Sequence, residues 1–218
     1  MIIEDMKIGD GYEVKPLGAV VCHYHGTLKE DGKEFDSSFA RGEPSSFPLT
    51  GVIQGWGKGV PGMKIGGIRR LTIPTALAWG DAGYGDKVPP KADVVFIIQV
   101  VDALQVEDIK VGEGEAVTGA CVAVTTYSIK DAEGKEIEKA DASKPYIWIP
   151  NDFQPLQFGL EGMKPGGIRK LIIPKEMNLS SPQSGSTRPQ KVPLSMEFEL
   201  IAARNLGNPQ QQQRRPTK

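Results

Sequence analysis

The 218-residue sequence contains little cysteine, little histidine and almost no net charge. Its two cysteines, Cys22 and Cys121, lie in β-rich, mostly apolar segments, which is typical of buried apolar residues rather than of a disulfide framework. The only histidines, His23 and His25, belong to no Cys/His/Asp cluster with ligand spacing. We therefore expect no metal site and no cofactor.

The formal net charge is -1 at pH 7, so we expect neither nucleic acid nor an anionic membrane as a partner. No apolar run approaches the roughly 20 residues that a membrane helix needs. The first seven residues lack the basic end and the apolar stretch of a signal peptide, which favours a cytoplasmic location. A chain trimmed of its signal would look the same, so an extracytoplasmic compartment stays open.

A duplication is the most informative feature that is present. Residues 62–74 recur as 162–174 with 10 of 13 positions identical, and two further segments recur in the same order at offsets of 100 to 103. A repeat of about a hundred residues is the size of an independent domain. The sequence therefore predicts one domain at 1–104, a second at 105–204, and a polar, disordered tail at 205–218.

The 26 glycines and 17 prolines favour short strands and many turns. In the first repeat, alternating apolar residues predict strands at 20–25, 68–73 and 93–101. Ile53, Trp56 and Val60 share one helical face, which predicts a single short helix within 52–61. The expected fold class is α+β, with a twisted antiparallel sheet wrapped on one short α-helix in each domain.

Five motifs follow one another in the first repeat, namely VCHYHGTL (21–28), DGKEFDSS (31–38), VIQGW (52–56), GMKIG (62–66) and VPPKA (88–92). In this order and spacing they resemble the FKBP-type peptidyl-prolyl cis/trans isomerase family. The resemblance covers residues 3–104 and, more faintly, 106–203, so it implies two tandem FKBP-like domains.

The resemblance implies a shallow apolar pocket that holds the proline of an Xaa-Pro bond. Trp56 would form its floor, and Asp36 would supply one buried carboxylate with Arg41 as its basic partner. The catalytic set carried over from the family is Tyr24, Phe35, Asp36, Val52, Ile53, Trp56, Trp79 and Phe96. The substrate-binding set is Arg41, Phe47, Tyr84 and Val88, with Val88 at the rim.

Taken one at a time, these residues also fit plainer roles. Trp56 alone is more often a core aromatic, Asp36 alone is a solvated carboxylate at a strand edge, and Tyr24 and Phe96 could equally be core residues. Gly66-Gly67 precedes a strand and carries no Lys-Ser/Thr, so we interpret it as a turn rather than a phosphate loop.

Three residues depart from the family pattern: Trp79 replaces a tyrosine, Ser45 an aromatic wall residue and Lys87 an apolar rim residue. We expect a more open and more polar pocket that binds macrolides such as tacrolimus with reduced affinity.

The second repeat departs further. Leu156 stands opposite Trp56, Ile137-Glu138 opposite Phe35-Asp36, and Leu179 opposite Trp79. We therefore expect a degenerate, non-catalytic domain. Four of its aromatic residues either hold client chains or belong to the core, namely Tyr146, Trp148, Phe153 and Phe158.

The predicted function is a peptidyl-prolyl cis/trans isomerase, or rotamase, that assists protein folding and acts on proline-containing polypeptides through its first domain. An apolar cavity suits this reaction because the twisted transition state has lost amide charge separation, so no nucleophile is needed. The alternative is a non-catalytic FKBP-like module or chaperone that holds unfolded or partner polypeptides.

Overall fold

The computed structural model describes residues 1–118, 121–149, 154–178 and 191–206. The chain divides into two compact units, Met1–Leu104 and Gln105–Lys218. Each unit contains an antiparallel six-stranded sheet and one short α-helix.

The first unit is built on a sheet in which one long strand lies at the centre. Its elements are β1 (Ile2–Lys7), β2 (Ala19–Leu28), β3 (Glu34–Ser37), β4 (Ser45–Pro48), α1 (Gln54–Gly59), β5 (Ile68–Ile73) and β6 (Val94–Ala103). The strand order is β1-β5-β6-β2-β3, and β4 also pairs with β2. The near-continuous apolar sequence of β6 suits this place between two neighbours.

Two glycines let α1 lie directly against β5. A Cβ added at Gly55 would lie 2.5 Å from Ile73 Cγ2, and one added at Gly59 would lie 2.8 Å from Leu71 Cδ1. Both distances are shorter than two carbon atoms tolerate. Glycine, which normally weakens a helix, is therefore required here for close packing.

The second unit repeats the same strand order. Its elements are β7 (Gln105–Lys110), β8 (Cys121–Lys130), β9 (Glu136–Ala140), β10 (Tyr146–Trp148), α2 (Gln154–Leu160), β11 (Ile168–Ile173) and β12 (Leu194–Asn205). The order is β10-β8-β12-β11-β7, and β9 also pairs with β8. Each strand from β7 to β12 thus has a counterpart from β1 to β6.

The predicted start of the tail is wrong by one residue. Asn205 is the last residue of β12 and pairs with Cys121. Its side-chain amide donates to Glu115 and to the carbonyl of Ala116, and its carbonyl oxygen accepts from the N–H of Thr118. These bonds hold Asn205 in the sheet. The remainder of the predicted tail, from residue 207 onward, lies outside the described residues.

One arginine in each unit joins the helix end to the edge strand. Arg69 bonds Asp5 of β1 at 2.6 Å and donates to the carbonyl of Gly59 at 2.7 Å. Arg169 likewise bonds Asp108 of β7 and the carbonyl of Gly159. The guanidinium satisfies a carbonyl at the helix C-terminus, where no helical N–H is available.

Both cysteines are free and buried, and burial raises the pKa of the Cys22 thiol to about 12. Among the described residues, no group of three or more His, Cys, Asp or Glu side chains is placed to hold a metal ion. In the same part of the chain no helix has the length and apolar character needed to cross a membrane.

Candidate active site

The first unit contains a cavity of about 310 Å³ with mostly aromatic walls. Its lining residues are Tyr24, Phe35, Asp36, Phe47, Gly51, Val52, Ile53, Trp56, Trp79, Tyr84 and Phe96. Ten of the twelve residues selected from the sequence lie in this lining. The two that do not are Arg41 and Val88, and the lining residue that the sequence did not suggest is Gly51.

Trp56 forms the floor of the cavity. Its ring lies nearly perpendicular to those of Phe96 and Tyr24, with centroid distances of 5.2 and 5.6 Å. Phe47 also packs edge-on against it at 5.3 Å. Trp56 is only 4% exposed, so it is a core residue and a cavity floor at once. Its indole Nε1 is buried and has no hydrogen-bond partner among the described residues.

The absence of a side chain at Gly26 makes room for two wall rings. A Cβ at this position would lie 2.8 Å from Phe35 Cζ and 2.8 Å from Phe96 Cε1. Gly26 pairs with Phe96 across one side of β2 and with Asp36 across the other. The sequence suggests this role only through the glycine that interrupts an otherwise β-rich strand.

A closed hydrogen-bond network forms the polar side of the cavity. The Tyr24 hydroxyl donates to Asp36 Oδ2 at 2.6 Å, and Arg41 Nη1 donates to Asp36 Oδ1 at 2.8 Å. Arg41 Nη2 donates to the Tyr24 hydroxyl at 2.7 Å and to Ser45 Oγ at 3.2 Å. Arg41 therefore lies behind Asp36, outside the lining, and holds its carboxylate in place.

Ser38 supports this network from the core and was not selected from the sequence. Its side chain is fully buried, and its Oγ accepts the backbone N–H of Tyr24 at 2.8 Å. Its own N–H donates to the carbonyl of Tyr24 at 3.0 Å. Ser38 thus fixes the backbone position from which the Tyr24 ring extends.

The network keeps Asp36 ionised and Tyr24 protonated. Burial opposes the charge of Asp36, but hydrogen bonds from Tyr24 and Arg41 and the charges of Arg41 and Lys87 outweigh it, so the pKa of Asp36 is lowered from 3.8. Burial and the hydrogen bond to Asp36 raise the pKa of Tyr24 to about 12. At neutral pH the cavity therefore contains one carboxylate with its charge matched by Arg41.

The loop between β5 and β6 forms the rim. Trp79 stacks on Tyr84 at 5.2 Å and meets Phe35 edge-on at 5.7 Å. The prediction that Val88 is a rim residue is wrong, because its side chain is 1% exposed and packs in the core. Its backbone instead bonds that of Tyr84 in both directions, at 2.8 and 3.2 Å, and so positions the tyrosine.

The second unit keeps the polar pair and replaces several of the aromatic wall residues. Strand register places Tyr127 at the position of Tyr24 and Glu138 at that of Asp36, and the Tyr127 hydroxyl donates to Glu138. Ile129 occupies the position of Gly26 and is fully buried. Met196 stands opposite Ile129, where Phe96 stands opposite Gly26. In the second unit a side chain thus occupies the position that the rings of Phe35 and Phe96 approach at Gly26 in the first unit.

The remaining second-unit residues fall into two groups. Leu156 and Trp148 are each 1% exposed and are buried in the core. Tyr146 and Phe158 are half-buried, and Tyr146 packs edge-on against Tyr127 at 5.5 Å. Phe153 and Leu179 lie outside the described residues.

A mostly apolar cavity with one fixed polar group is the usual form of a site for a small apolar ligand group. The sequence model of the family described as FKBP-type peptidyl-prolyl cis-trans isomerase matches residues 11–101. A probable FK506-binding protein of Corynebacterium glutamicum is 48% identical over 103 residues, which are 47% of this chain and 86% of that protein. The peptidyl-prolyl cis-trans isomerase FPR2 of Saccharomyces cerevisiae is 47% identical over 102 residues, which are 46% and 73% of the two chains.

The chain therefore belongs to the FKBP-type peptidyl-prolyl cis-trans isomerase family. The crystal structure of the three FKBP domains of wheat FKBP73 is 21% identical and covers 93% of this chain and 94% of that chain, with a TM-score of 0.44.

Proposed function

We propose that the first unit catalyses cis–trans isomerisation of Xaa-Pro bonds in polypeptides and thereby assists protein folding. The observation that carries this proposal is the cavity with Trp56 as its floor and the Tyr24–Asp36–Arg41 network on one side. Membership of the family supports the reaction class.

The cavity suits this reaction because the barrier is set by amide resonance. Rotation about Xaa-Pro costs about 20 kcal/mol in water, and the twisted transition state has less charge separation than the planar amide. Aromatic walls exclude water and so favour the less polar, twisted form. A decrease of about 6 kcal/mol would accelerate rotation by roughly four decades.

Each side chain has a distinct part in this mechanism. Trp56 and Phe96 contact the proline ring and keep it dry, while Phe35 and Trp79 close the cavity at the rim. Asp36 offers a fixed carboxylate that accepts hydrogen bonds from the substrate backbone, and Tyr24 and Arg41 are positioning residues that hold that carboxylate.

We propose that the second unit is a degenerate FKBP-like domain that contributes no catalysis. Ile129 has a side chain at the position where Gly26 admits the rings of Phe35 and Phe96, and Leu156 replaces the indole floor. The Tyr127–Glu138 bond alone does not form an aromatic cavity.

Exchange NMR on short Xaa-Pro peptides tests both parts of the proposal on the full chain. The wild type is expected to accelerate isomerisation. Trp56→Leu places in the first unit the leucine that the second unit has at the corresponding position, Leu156, and is expected to abolish the acceleration. Leu156→Val is the matched control and should leave the rate unchanged. Residual acceleration by a folded Trp56→Leu variant would contradict either the need for Trp56 or the inactivity of the second unit. No acceleration by the wild type would refute the enzyme.

A second candidate is a binding module that holds polypeptides without turnover. It is favoured by Trp79, which presents an indole where the family usually has a tyrosine and which stacks on Tyr84. Peptide binding without acceleration, measured with the same peptides, would support this candidate. The same rim gives the expectation that tacrolimus binds weakly, and a nanomolar Kd from tryptophan fluorescence would contradict it.

A further inference from the structure

The rim of the cavity holds a lysine whose backbone is fixed by a tight turn. Tyr84 and Val88 pair as a β-bridge, and the Lys87 N–H donates to the carbonyl of Tyr84 at 3.1 Å. Tyr84 itself lines the cavity and stacks on Trp79. Lys87 is therefore held beside the entrance and its side chain is exposed.

Lys87 is also the rim cation whose charge is not matched by an ion pair. Arg41 is paired with Asp36 at 2.8 Å, whereas Lys87 makes no ion pair within the described residues. Its charge nevertheless acts at the cavity. Burial raises the pKa of Asp36, the hydrogen bonds from Tyr24 and Arg41 and the charge of Arg41 lower it more, and the charge of Lys87 adds to this lowering. A substrate that enters the cavity meets this positive charge.

We infer that Lys87 makes the site select Xaa-Pro segments in which a residue next to the proline carries a carboxylate. This inference rests on the proposed isomerase function and concerns the substrates that the site prefers. The exposed Lys87 is fixed through its backbone to Tyr84, which lines the cavity, so a segment whose proline enters the cavity can bring a neighbouring carboxylate to the lysine. An exposed ion pair of this kind is worth roughly threefold to fivefold in kcat/KM.

The experiment compares matched peptides on the full chain. Exchange NMR gives kcat/KM for peptides with Glu, Gln, Leu or Lys before proline, and for peptides with Glu or Gln after it. We expect the wild type to prefer Glu over Gln at one of the two positions by roughly threefold to fivefold. The preference should weaken as salt is added, because exposed charges are screened.

Three variants assign the preference to its residue. Lys87→Gln should give equal rates for the Glu and Gln peptides, and Lys87→Glu should reverse the order. Lys7→Gln removes the same charge from β1, at the far edge of the sheet, and should leave the preference unchanged. Asp86→Asn, next to Lys87 in the turn, should at most strengthen it. Thermal unfolding of each variant confirms that these surface changes leave the fold intact.

The outcomes separate the inference from the function on which it rests. Turnover of the Leu peptide with equal Glu and Gln rates in the wild type would overturn the role of Lys87 and leave the isomerase intact. A Glu preference that survives Lys87→Gln, or that Lys7→Gln removes equally, would overturn it too. No acceleration of any peptide would overturn the proposed function and this inference with it.

Discussion

The hydroxyl of Tyr24 donates a 2.6 Å hydrogen bond to Asp36, and strand register repeats this pair in the second unit as Tyr127 and Glu138. A tyrosine–carboxylate bond between the two strands is therefore part of the duplicated scaffold. What distinguishes the first unit is the space around the bond, because Gly26 leaves room there that Ile129 fills in the second unit. Under the proposed function, catalysis would thus depend on the cavity as much as on the polar pair.

Asp36→Asn is expected to lower kcat/KM by roughly tenfold, or about 1.4 kcal/mol, because it removes the charge that Arg41 and Tyr24 hold in place. Tyr24→Phe should have a smaller effect, since Arg41 still bonds Asp36. Asp36→Asn should lower the free energy of unfolding by about 1 kcal/mol, the usual worth of one hydrogen bond. Tyr24→Phe removes the bond to Asp36 and the bond from Arg41, so it should cost about 2 kcal/mol. Peptide exchange NMR and urea unfolding measure the two effects.

Tyr127→Phe is the matched control for Tyr24→Phe, because it removes the same kind of bond from the second unit. It should change stability without changing the isomerisation rate. An equal loss of rate in both variants would contradict the restriction of catalysis to the first unit.

Gly26→Ala is expected to distort the cavity, since the added methyl group would lie 2.8 Å from atoms of Phe35 and Phe96. Overpacking of this size costs about 1 to 3 kcal/mol. Both rings must shift, so the isomerisation rate should fall together with stability. Trp56 fluorescence should change as well, because the ring of Phe96 packs on it.

Ile129→Val provides the comparison at the corresponding position of the second unit. It should cost about 0.5 to 1.5 kcal/mol and leave the rate unchanged. If Gly26→Ala were as active and as stable as the wild type, the proposed role of Gly26 in making room for the rings of Phe35 and Phe96 would be wrong.

Short motifs were enough to predict most of the cavity. Trp56 lies inside VIQGW, and Tyr24 and Asp36 lie in two motifs that flank one hairpin. These three residues could be placed from local spacing because Tyr24 lies in β2, Asp36 in β3 and Trp56 in α1. The predicted strand at 68–73 has the bounds of β5 for the same reason.

Features that depend on pairing between strands could not be predicted. The hairpin of the second unit is one residue shorter than that of the first. In the first unit the Leu28 N–H donates to the carbonyl of Lys33, five residues on, whereas in the second unit the Asp131 N–H donates to the carbonyl of Lys135, four residues on. An alignment on the turn places Thr126 opposite Tyr24, whereas the strand register places Tyr127 there. A slip of one residue changes the face on which a side chain lies.

The pH dependence of stability follows from the same pair. The pKa of Asp36 is lower in the folded state than in the unfolded state. Its contribution to stability is therefore present above the unfolded pKa of about 3.9 and is lost as the pH falls through the lowered folded-state pKa. The pKa of Tyr24 is raised to about 12. The contribution of Tyr24 to stability is complete below the unfolded pKa of about 10 and is lost as the pH rises toward 12.

Urea unfolding across this pH range measures the loss of stability in acid and in alkali. The stability difference between the wild type and Asp36→Asn should be constant near neutral pH and shrink in acid. The difference between the wild type and Tyr24→Phe should shrink in strong alkali instead. A difference that grew as the pH fell would contradict the lowered pKa of Asp36.

Arg69→Ala is expected to destabilise the first unit by about 2 to 3 kcal/mol. Its side chain is 12% exposed, bonds Asp5 at 2.6 Å and donates to the carbonyl of Gly59. Removal leaves a carbonyl at the end of α1 without its donor and detaches the edge strand from the helix. Urea unfolding of the full chain in a Trp148→Phe background, where Trp56 and Trp79 are the remaining tryptophans, reports on this unit.

Arg70→Ala is the matched control, because the neighbouring residue has the same charge and length but different contacts. Its side chain is 49% exposed, and its Nε lies 3.9 Å from Glu4, so its loss should cost less than about 0.5 kcal/mol. Equal destabilisation by the two variants would mean that strand charge, and not the bond to the helix end, matters. Because Arg169 makes the same contacts with Asp108 and Gly159, Arg169→Ala should destabilise the second unit to a similar extent while leaving the isomerisation rate unchanged.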